Sequence, residues 1–220
     1  MPDYGGYWSS SEAGGDFAYV VNLFFGEADR GDDRVEKDHS VRAVLAFTVE
    51  APAGPTAYTL ANSEVGMIVG TDGKAYAVAD KDNLPEGVTA AGMVAYKDGS
   101  NGLAIALADE GQMYWATAKS TCEGKTAIGG YSWKLPTMDE WKQMFRANGG
   151  NENEFTGLNN ALAAAGGDSS KLQESVYYWS SSEYYDDDAW DINLFGEYGV
   201  RWYRDNKEDE AYHVRACLAF

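Results

Sequence analysis

Basic residues are scarce in this sequence of 220 residues. It holds 17 Lys and Arg against 35 Asp and Glu, which gives a formal net charge of -18. A surface this acidic repels phosphate backbones and anionic membranes, so nucleic acid is not an expected partner. No apolar run reaches the roughly 18 residues that a membrane-spanning helix needs, and we expect no membrane insertion. Residues 1–15 also lack the basic and apolar segments of a signal peptide.

Residues suited to catalysis are equally few. Histidine is limited to His39 and His213, so the serine run Ser180–Ser182 has little support as a nucleophile that histidine activates. Hydroxyls in such a run more often satisfy backbone groups at a strand edge or a turn. We therefore expect no catalytic residues, no enzymatic activity and no cofactor.

An internal repeat is the most informative feature of the sequence. Both copies open with Tyr-Trp-Ser-Ser-Ser-Glu, at Tyr7–Glu12 and at Tyr178–Glu183. Both close with Val-Arg-Ala-x-Leu-Ala-Phe, at Val41–Phe47 and at Val214–Phe220. Because the second copy ends a much longer stretch, the chain is predicted to hold the tail of one repeat followed by one complete repeat.

This repeat predicts the domain organisation. Residues 1–50 hold the partial copy and the start of a linker, residues 51–56 complete a linker rich in Pro, Ala and Gly, and residues 57–220 form the complete domain. Residues 7–47 are too few to bury a core of their own. The partial copy is expected to dock on the complete domain, to be only partly ordered, or to pair with a neighbouring chain, which would be self-association through residues 7–47.

The pattern of apolar residues predicts strands at both ends of the complete domain and helices between them. In the clearest helix, Thr137 and Glu140 fit a capping box, and Trp141, Met144 and Phe145 form an apolar stripe. The predicted helices are Met113–Cys122, Pro136–Ala147 and Phe155–Ala165. The predicted strands are Ala57–Leu60, Met67–Gly70, Ala75–Ala79, Met93–Tyr96, Leu103–Leu107, Trp190–Phe195, Val200–Arg204 and Val214–Phe220.

Residues 133–141, with the sequence Trp-Lys-Leu-Pro-Thr-Met-Asp-Glu-Trp, resemble a helix start found in the C-type-lectin-like fold. Formylglycine-generating enzymes and bacterial major paralogous domains share that start. Residues 178–183 and 214–216 resemble the end of the same domains. With Ser120–Lys125, the pattern is most similar to the major paralogous domains of gut bacteria, some of which are variable proteins of diversity-generating retroelements. The resemblance implies an α+β fold with two to three helices against a twisted, mostly antiparallel sheet.

In the retroelement proteins that this sequence resembles, the C-terminal strand-loop-strand segment is diversified to bind varied ligands. Here the matching segment, 178–220, is rich in Tyr, Asp and Asn, which suit a contact surface because Tyr supplies area at a low entropy cost. The residues predicted to bind ligand are Tyr184, Tyr185, Asp186, Asp187, Asp188, Asp191, Asn193, Tyr198, Arg201, Tyr203, Asp205 and Asn206.

Alternation along the two predicted strands supports this assignment. A period of two places Trp190, Ile192, Leu194, Val200 and Trp202 inward, and it places Asp191, Asn193, Arg201 and Tyr203 on a solvated face. Trp179, Trp190 and Trp202 are accordingly expected to be buried. The ligand is expected to be a protein or a glycan, and the resemblance implies an extracellular or cell-surface location.

The same sequence offers three other functions for comparison: calcium binding, formylglycine generation and assembly. Asp186–Asp188 offer the clustered carboxylates that Ca²⁺ prefers, yet the Glu-Pro-Asn and Trp-Asn-Asp motifs of sugar-binding C-type lectins are absent, so no metal site is predicted. Formylglycine generation needs active-site cysteines that bind copper, whereas Cys122 and Cys217 lie in structural positions. An assembly protein that uses the partial copy remains the main alternative.

The two cysteines have a separate interpretation. C-type-lectin-like domains often join the first helix to the last strand by a disulfide, and the resemblance places Cys122 and Cys217 on those two elements. It therefore implies that the two side chains lie close together. Both a disulfide and a pair of reduced thiols agree with the sequence.

Overall fold

The computed structural model describes residues 6–22, 27–33, 41–44, 54–196 and 199–220. The chain divides into two units, Met1–Pro52 and Ala53–Phe220. Of the predicted linker, residues 51–53 lie outside the described residues, and residues 54–57 form neither helix nor strand.

The first unit contains a three-stranded antiparallel sheet. Its strands are β1 (Gly6–Gly14), β2 (Phe17–Asn22) and β3 (Glu27–Asp33), in the order β1-β2-β3. Ala18 and Val20 lie two residues apart on β2 and are both buried. Since residues two apart share one face of a strand, this face of the sheet is apolar.

Residues 41–44 of the first unit form neither helix nor strand, and all four are exposed. Val41 is 77% exposed and Val44 is 89% exposed. Their counterparts in the second copy, Val214 and Cys217, are fully buried. Nearly the same sequence is thus exposed in one copy and buried in the other.

The second unit is an α+β domain with mostly antiparallel sheets, as the sequence predicted. In its described part, three α-helices are present: α1 (Trp115–Glu123), α2 (Met138–Ala147) and α3 (Thr156–Gly166). Short 3-10 turns lie at Leu60–Asn62, Val78–Asp80 and Asp168–Ser170. The strands are β4 (Tyr58–Thr59), β5 (Ile68–Gly70), β6 (Lys74–Tyr76), β7 (Ala90–Asp98), β8 (Asn101–Ala106), β9 (Gly111–Met113), β10 (Trp133–Lys134), β11 (Tyr177–Glu183), β12 (Asp188–Leu194), β13 (Val200–Asn206), β14 (Tyr212–Val214) and β15 (Cys217–Ala219).

These strands form two sheets. The larger sheet has seven strands in the order β10-β15-β8-β7-β5-β6-β4, and all its neighbours are antiparallel. The smaller sheet has five strands in the order β13-β12-β11-β14-β9, and only the β11–β14 pair in it is parallel. In this sheet β13 is an edge strand, so part of its backbone and side chains face solvent.

Successive residues of the central strands point into two different cores. Val94 and Trp179 belong to the core that also contains Trp115 of α1. Their neighbours in sequence, Met93 and Tyr178, belong to the core built around α2 and α3. Because both faces of these strands are covered, their sequences are apolar without strict alternation.

Helix α2 begins as the sequence predicted. The Thr137 hydroxyl accepts a hydrogen bond from the Glu140 backbone N–H, and the Glu140 carboxylate accepts one from the Thr137 N–H at 2.8 Å. This is the predicted capping box, and it is confirmed. Trp141, Met144 and Phe145 form the buried stripe of the helix.

The hairpin of β11 and β12 repeats the hairpin of β1 and β2. Trp8 lies opposite Val20 in the first copy, and Trp179 lies opposite Asp191 in the second. Both hairpins then shift register at the same place, just before the Glu of each copy. The two copies therefore share a backbone arrangement, and Asp191 occupies the position that Val20 occupies in the first copy.

The predicted closing strand Val214–Phe220 is in fact two strands in two sheets. β14 pairs with β9 and β11, whereas β15 pairs with β8 and β10. Arg215 and Ala216 connect them and are both buried. The prediction of one central strand is wrong, because an apolar run does not reveal that the chain crosses from one sheet to the other.

Arg215 holds this crossing in place. Its side chain is 1% exposed, and its Nε donates to Asp109 Oδ1 at 2.6 Å. Its other nitrogens donate to backbone carbonyls of Ala106, Ser170 and Lys171. The second oxygen of Asp109 accepts a hydrogen bond from the Tyr178 hydroxyl at 2.9 Å. One buried ion pair thus ties both sheets to the segment that follows α3.

Replacing Arg215 with Met should lower the free energy of unfolding by about 3–5 kcal/mol, because the largely buried Asp109 would lose its counter-charge and three backbone carbonyls would lose their donor. Urea denaturation monitored by circular dichroism measures the change.

Arg146→Met is the matched control. Arg146 pairs with Glu152 at the surface, where both side chains are well exposed. Removing an exposed pair should cost less than about 1 kcal/mol. Equal losses of unfolding free energy in the two variants would show that the Arg215 network contributes no more to stability than an exposed ion pair.

Candidate ligand-contact surface

The predicted ligand-binding residues cluster at the turn between β11 and β12 and on the edge strand β13. Tyr185 is 67% exposed and Tyr203 is 45% exposed. Asp186, Asp187 and Arg201 are exposed, while Tyr184, Asp188, Asp205 and Asn206 are partly buried. Tyr198 lies outside the described residues. We name the exposed and partly buried set the contact surface: Tyr184, Tyr185, Asp186, Asp187, Asp188, Arg201, Tyr203, Asp205 and Asn206.

Lys207 holds the turn between β11 and β12 by bonding to the backbone carbonyls of that turn. The Lys207 ammonium donates to the carbonyl oxygens of Tyr185 at 3.1 Å and Asp186 at 2.7 Å, and its backbone N–H donates to the Asp187 carbonyl at 2.9 Å. The third bond of the ammonium goes to the Glu183 carboxylate. Sequence reasoning missed Lys207, since nothing in the acidic stretch around it marked it as a buried donor.

Aromatic and basic side chains pack at one end of the turn. The Arg204 guanidinium lies 4.4 Å from the centre of the Tyr184 ring, within the range of a cation–π contact. The Tyr184 ring also meets the edge of Trp190, with ring centres 5.3 Å apart. Arg204 is a second residue that the sequence did not single out.

Two tryptophans expected in the core are only partly buried. Trp179 is fully buried, as predicted, but Trp190 and Trp202 are partly exposed. Trp202 lies on the edge strand, where its indole N–H reaches Asn153 Oδ1 at 3.3 Å. Trp190 lies near the end of β12 beside Tyr184. The expectation of full burial is wrong for both because each lies at a margin of the sheet.

A depression opens beside the turn. Its volume is about 600 Å³, and it is lined by Tyr184, Tyr185, Asp186, Asp187, Asp188 and Asn206. Carboxylates and an amide offer hydrogen-bond acceptors there, and tyrosine rings offer flat contact area. The chemistry of this depression suits a partner that carries hydrogen-bond donors or positive charge.

Asp191 and Asn193 do not belong to the exposed surface. Asp191 is 0% exposed and Asn193 is 3% exposed. The alternation of the strand is as expected, with Ile192 and Leu194 on the other face, but both faces are covered. The predicted exposure of these two residues is wrong because period two separates the faces of a strand without showing what packs on each.

Aromatic rings from other strands cover Asp191. The Tyr212 ring stacks on Tyr177 with centres 4.8 Å apart and lies 4.6 Å from the Trp179 ring. The Tyr203 ring meets Tyr177 edge-on at 5.8 Å. The Tyr212 hydroxyl donates to Asp205 Oδ2 at 2.6 Å, and so binds the second carboxyl of this face. We name these residues, with Asn193, the tyrosine-covered pocket: Asp191, Asn193, Asp205, Tyr177, Trp179, Tyr203 and Tyr212.

The environment favours the neutral form of Asp191. Burial, and then the neighbouring Asp205 carboxylate, raise the pKa of Asp191 from 3.8 to about 8. Neither oxygen of Asp191 accepts a hydrogen bond from an N–H or from a hydroxyl. A hydrogen bond between Asp191 and Asp205 requires that one carboxyl keep its proton. Burial also raises the pKa of Tyr212, with Asp205 adding to the effect.

The serine run has the backbone role that was expected. Ser180 Oγ accepts a hydrogen bond from the Ser182 N–H at 3.2 Å, and Ser182 Oγ accepts one from the Met138 N–H at 3.0 Å. His213 lies 2.6 Å from the Gln112 amide and 3.6 Å from Asp109. Within the described residues, no three His, Cys, Asp or Glu side chains are placed to hold a metal ion.

Cys122 and Cys217 are both buried and unbridged. Burial raises the pKa of the Cys122 thiol to about 12. Burial also raises the pKa of Cys217, and the Cys122 thiol is near enough to contribute to that rise. Neither thiol is therefore ionised near neutral pH.

Comparison with known proteins finds no family model and no curated protein that matches this chain. Among solved structures, the chain is similar to a fimbrial protein from Bacteroides ovatus, with 14% sequence identity and a TM-score of 0.47. The similarity covers 72% of this chain and 49% of that one, so the chain spans about half the length of its structural neighbour. In the part of the chain that the structure describes, the helices are too short or too polar to cross a bilayer.

Asp191→Val should remove a destabilisation that grows with pH. The folded state keeps the Asp191 proton up to about pH 8, whereas the unfolded chain loses it near 3.8. Raising the pH between these values therefore favours unfolding of the wild type. Each pKa unit is worth about 1.4 kcal/mol, so the variant should gain a few kcal/mol relative to wild type between pH 5 and pH 8.5.

Urea denaturation at these two pH values measures the difference. Valine is the residue that the first copy uses at this position, so the substitution suits the backbone. Parallel pH profiles for wild type and variant would show that Asp191 is not held neutral.

Proposed function

We propose that this chain is a non-enzymatic ligand-binding protein of the C-type-lectin-like fold, related to the major paralogous domains. On this proposal it acts outside the cell or at the cell surface, and it binds a protein or a glycan through the contact surface. We further propose that a diversity-generating retroelement diversifies that surface. The sequence resemblance of residues 133–141, 178–183 and 214–216 supports the fold and the family.

One observation carries the functional proposal: the turn between β11 and β12 is held by its backbone while its side chains face solvent. Lys207 binds the carbonyls of residues 185–187, and the Asp186 and Asp187 side chains are exposed. A turn held in this way tolerates different side chains at the same positions, because its hydrogen bonds do not involve them. This is the requirement that a diversified binding surface must meet.

The burial pattern narrows the set of residues proposed to vary. Asp191 and Asn193 lie beneath the surface, so changes there would act on stability as well as on binding. Ile192, Leu194 and Val200 are fully or almost fully buried and should not vary. The contact surface is therefore expected to vary mainly at the turn and on the outer side of β13.

Deep sequencing of this locus across a natural population tests the diversification. Substitutions should concentrate at contact-surface codons, including Tyr185, Asp187 and Tyr203, where a nearby template copy carries adenine. Ile192, Leu194 and Trp179 should stay constant in the same reads, and they serve as the internal control. Variation spread evenly over the domain, or absent from residues 184–206, would contradict this part of the proposal.

Assembly is a second candidate function, and the exposure of Val41 and Val44 favours it. Their counterparts in the second copy are buried between strands, so the first copy presents apolar side chains that a partner could cover. On this proposal the partial copy pairs with another chain.

Light scattering of the full chain at rising concentration tests whether the partial copy pairs with another chain. If the first copy mediates assembly, the mass should rise with concentration in wild type and should stay monomeric in Val41→Asp/Val44→Asp. Asp82→Ala/Glu86→Ala, which changes exposed residues of the second unit, is the control and should behave as wild type. A monomeric wild type would rule out assembly of this kind.

A further inference from the structure

The tyrosine-covered pocket holds hydrogen-bond acceptors that lack donors. Both carboxyl oxygens of Asp191 and the Oδ1 of Asn193 are buried and accept no hydrogen bond from an N–H or a hydroxyl, and the Asp191 carboxyl shares a proton with Asp205. The two residues lie on one face of β12, two positions apart, which is roughly 7 Å along a strand. Buried acceptors are nearly always paired in folded proteins, so this group of acceptors at a single place calls for a donor.

The rest of the pocket adds negative charge and aromatic faces. Asp205 lies on the same side of the neighbouring strand, and its Oδ2 accepts from the Tyr212 hydroxyl. The rings of Tyr177, Trp179, Tyr203 and Tyr212 surround the carboxyls. The negative faces of aromatic rings attract cations, and desolvation strengthens that attraction. Every component of this pocket therefore favours a positively charged group with several N–H donors.

The backbone arrangement does not require the Asp191 carboxyl. The first copy of the repeat forms the same hairpin with Val20 at this position, and Val20 is buried there. A buried acid in place of valine costs stability unless something compensates for it. Departures of this kind from ordinary core composition are expected at functional sites.

Tyr203 is the exposed member of the group of rings beside Asp191. Tyr203 lies directly across from Asp191 in the register of β12 and β13, and it is 45% exposed. It lies on the edge strand and belongs to the contact surface. Because Asp191 is 0% exposed, a ligand group can reach it only if a covering side chain moves, and Tyr203 is the one that already faces solvent.

We propose that the tyrosine-covered pocket binds a primary ammonium group, such as a lysine side chain, carried by the ligand of the contact surface. This inference rests on the proposed binding function and names the chemistry of its anchor. An ammonium has N–H donors and no acceptor, so it can bond to the Asn193 Oδ1 and, once the proton between Asp191 and Asp205 has left, to the Asp191 carboxylate. A metal ion fits less well, because the described residues bring no three ligating side chains of His, Cys, Asp or Glu together.

Binding of the ammonium releases a proton. The neutral Asp191 carboxyl loses its proton to solvent, and the carboxylate then pairs with the ammonium. The other titratable groups that face Asp191 are Asp205 and Tyr203 of β13, Tyr177 of β11 and Tyr212 of β14, and Glu210 acts on Tyr212. Affinity should therefore increase as the pH rises from 6 toward 8, with the release of less than one proton at the upper end.

Titration of the full chain with n-butylammonium chloride tests the proposal. Nuclear magnetic resonance of the tyrosine rings and of the Asn193 side-chain amide reports binding at the pocket, with sodium chloride at equal ionic strength as the reference. Calorimetry in two buffers of different ionisation enthalpy counts the released proton. Wild type should saturate with a millimolar Kd, and Asp191→Val should bind about tenfold more weakly or worse.

Two further variants keep the test decisive. Asp191→Asn preserves the shape of the side chain and should also lose affinity, which guards against misfolding of the valine variant. Glu86→Ala removes an exposed acid far along the sequence and should bind as wild type does. Equal affinities for n-butylammonium in wild type and Asp191→Val, or no saturation in wild type, would overturn the proposal that this pocket binds an ammonium group. The population-sequencing result does not depend on this outcome, so the two proposals can fail separately.

Discussion

The ion pair of Arg215 and Asp109 is the interaction on which the second unit depends. It lies where the chain leaves the five-stranded sheet and enters the seven-stranded sheet, and it also binds Tyr178 and the turn after α3. A buried guanidinium with all these partners admits one arrangement of the strands around it. Tyr178 lies near the start of the hairpin that carries the contact surface, so this network helps to position that hairpin.

The two copies of the repeat show how much structure a short sequence can specify alone. The first copy forms the three-stranded sheet with the same hairpin register as the second. Its closing segment, however, does not form a strand in the described residues 41–44. Local pairing is thus encoded within each copy, whereas the closing strands need β8 and β9 as partners. The hairpin thus forms from residues close in sequence, whereas the closing strands form only where distant strands are available to pair with them.

The same distinction explains which predictions were confirmed. The three helices and the capping box follow from short local patterns and were predicted from them, and the α+β class was implied by the family resemblance. The burial of Asp191 depends on Tyr212, which β14 brings beside β11, and the Arg215–Asp109 pair joins residues 106 positions apart. Lys207 was missed because most of its contacts are to carbonyl oxygens, which every residue possesses, and because its partner Glu183 lies 24 positions away. Sequence periodicity carries no record of such long-range placement.

The way Lys207 holds the turn between β11 and β12 determines which mutations the turn can accept. Since the bonds from Lys207 to residues 185–187 run to main-chain oxygens, a side-chain substitution at those residues leaves the hydrogen-bond acceptors in place. Substitutions at residues 185–187 therefore change the exposed side chains and leave these hydrogen bonds of the turn intact. Two sequences that differ at all three residues would keep the same acceptors for Lys207 while presenting different side chains to solvent.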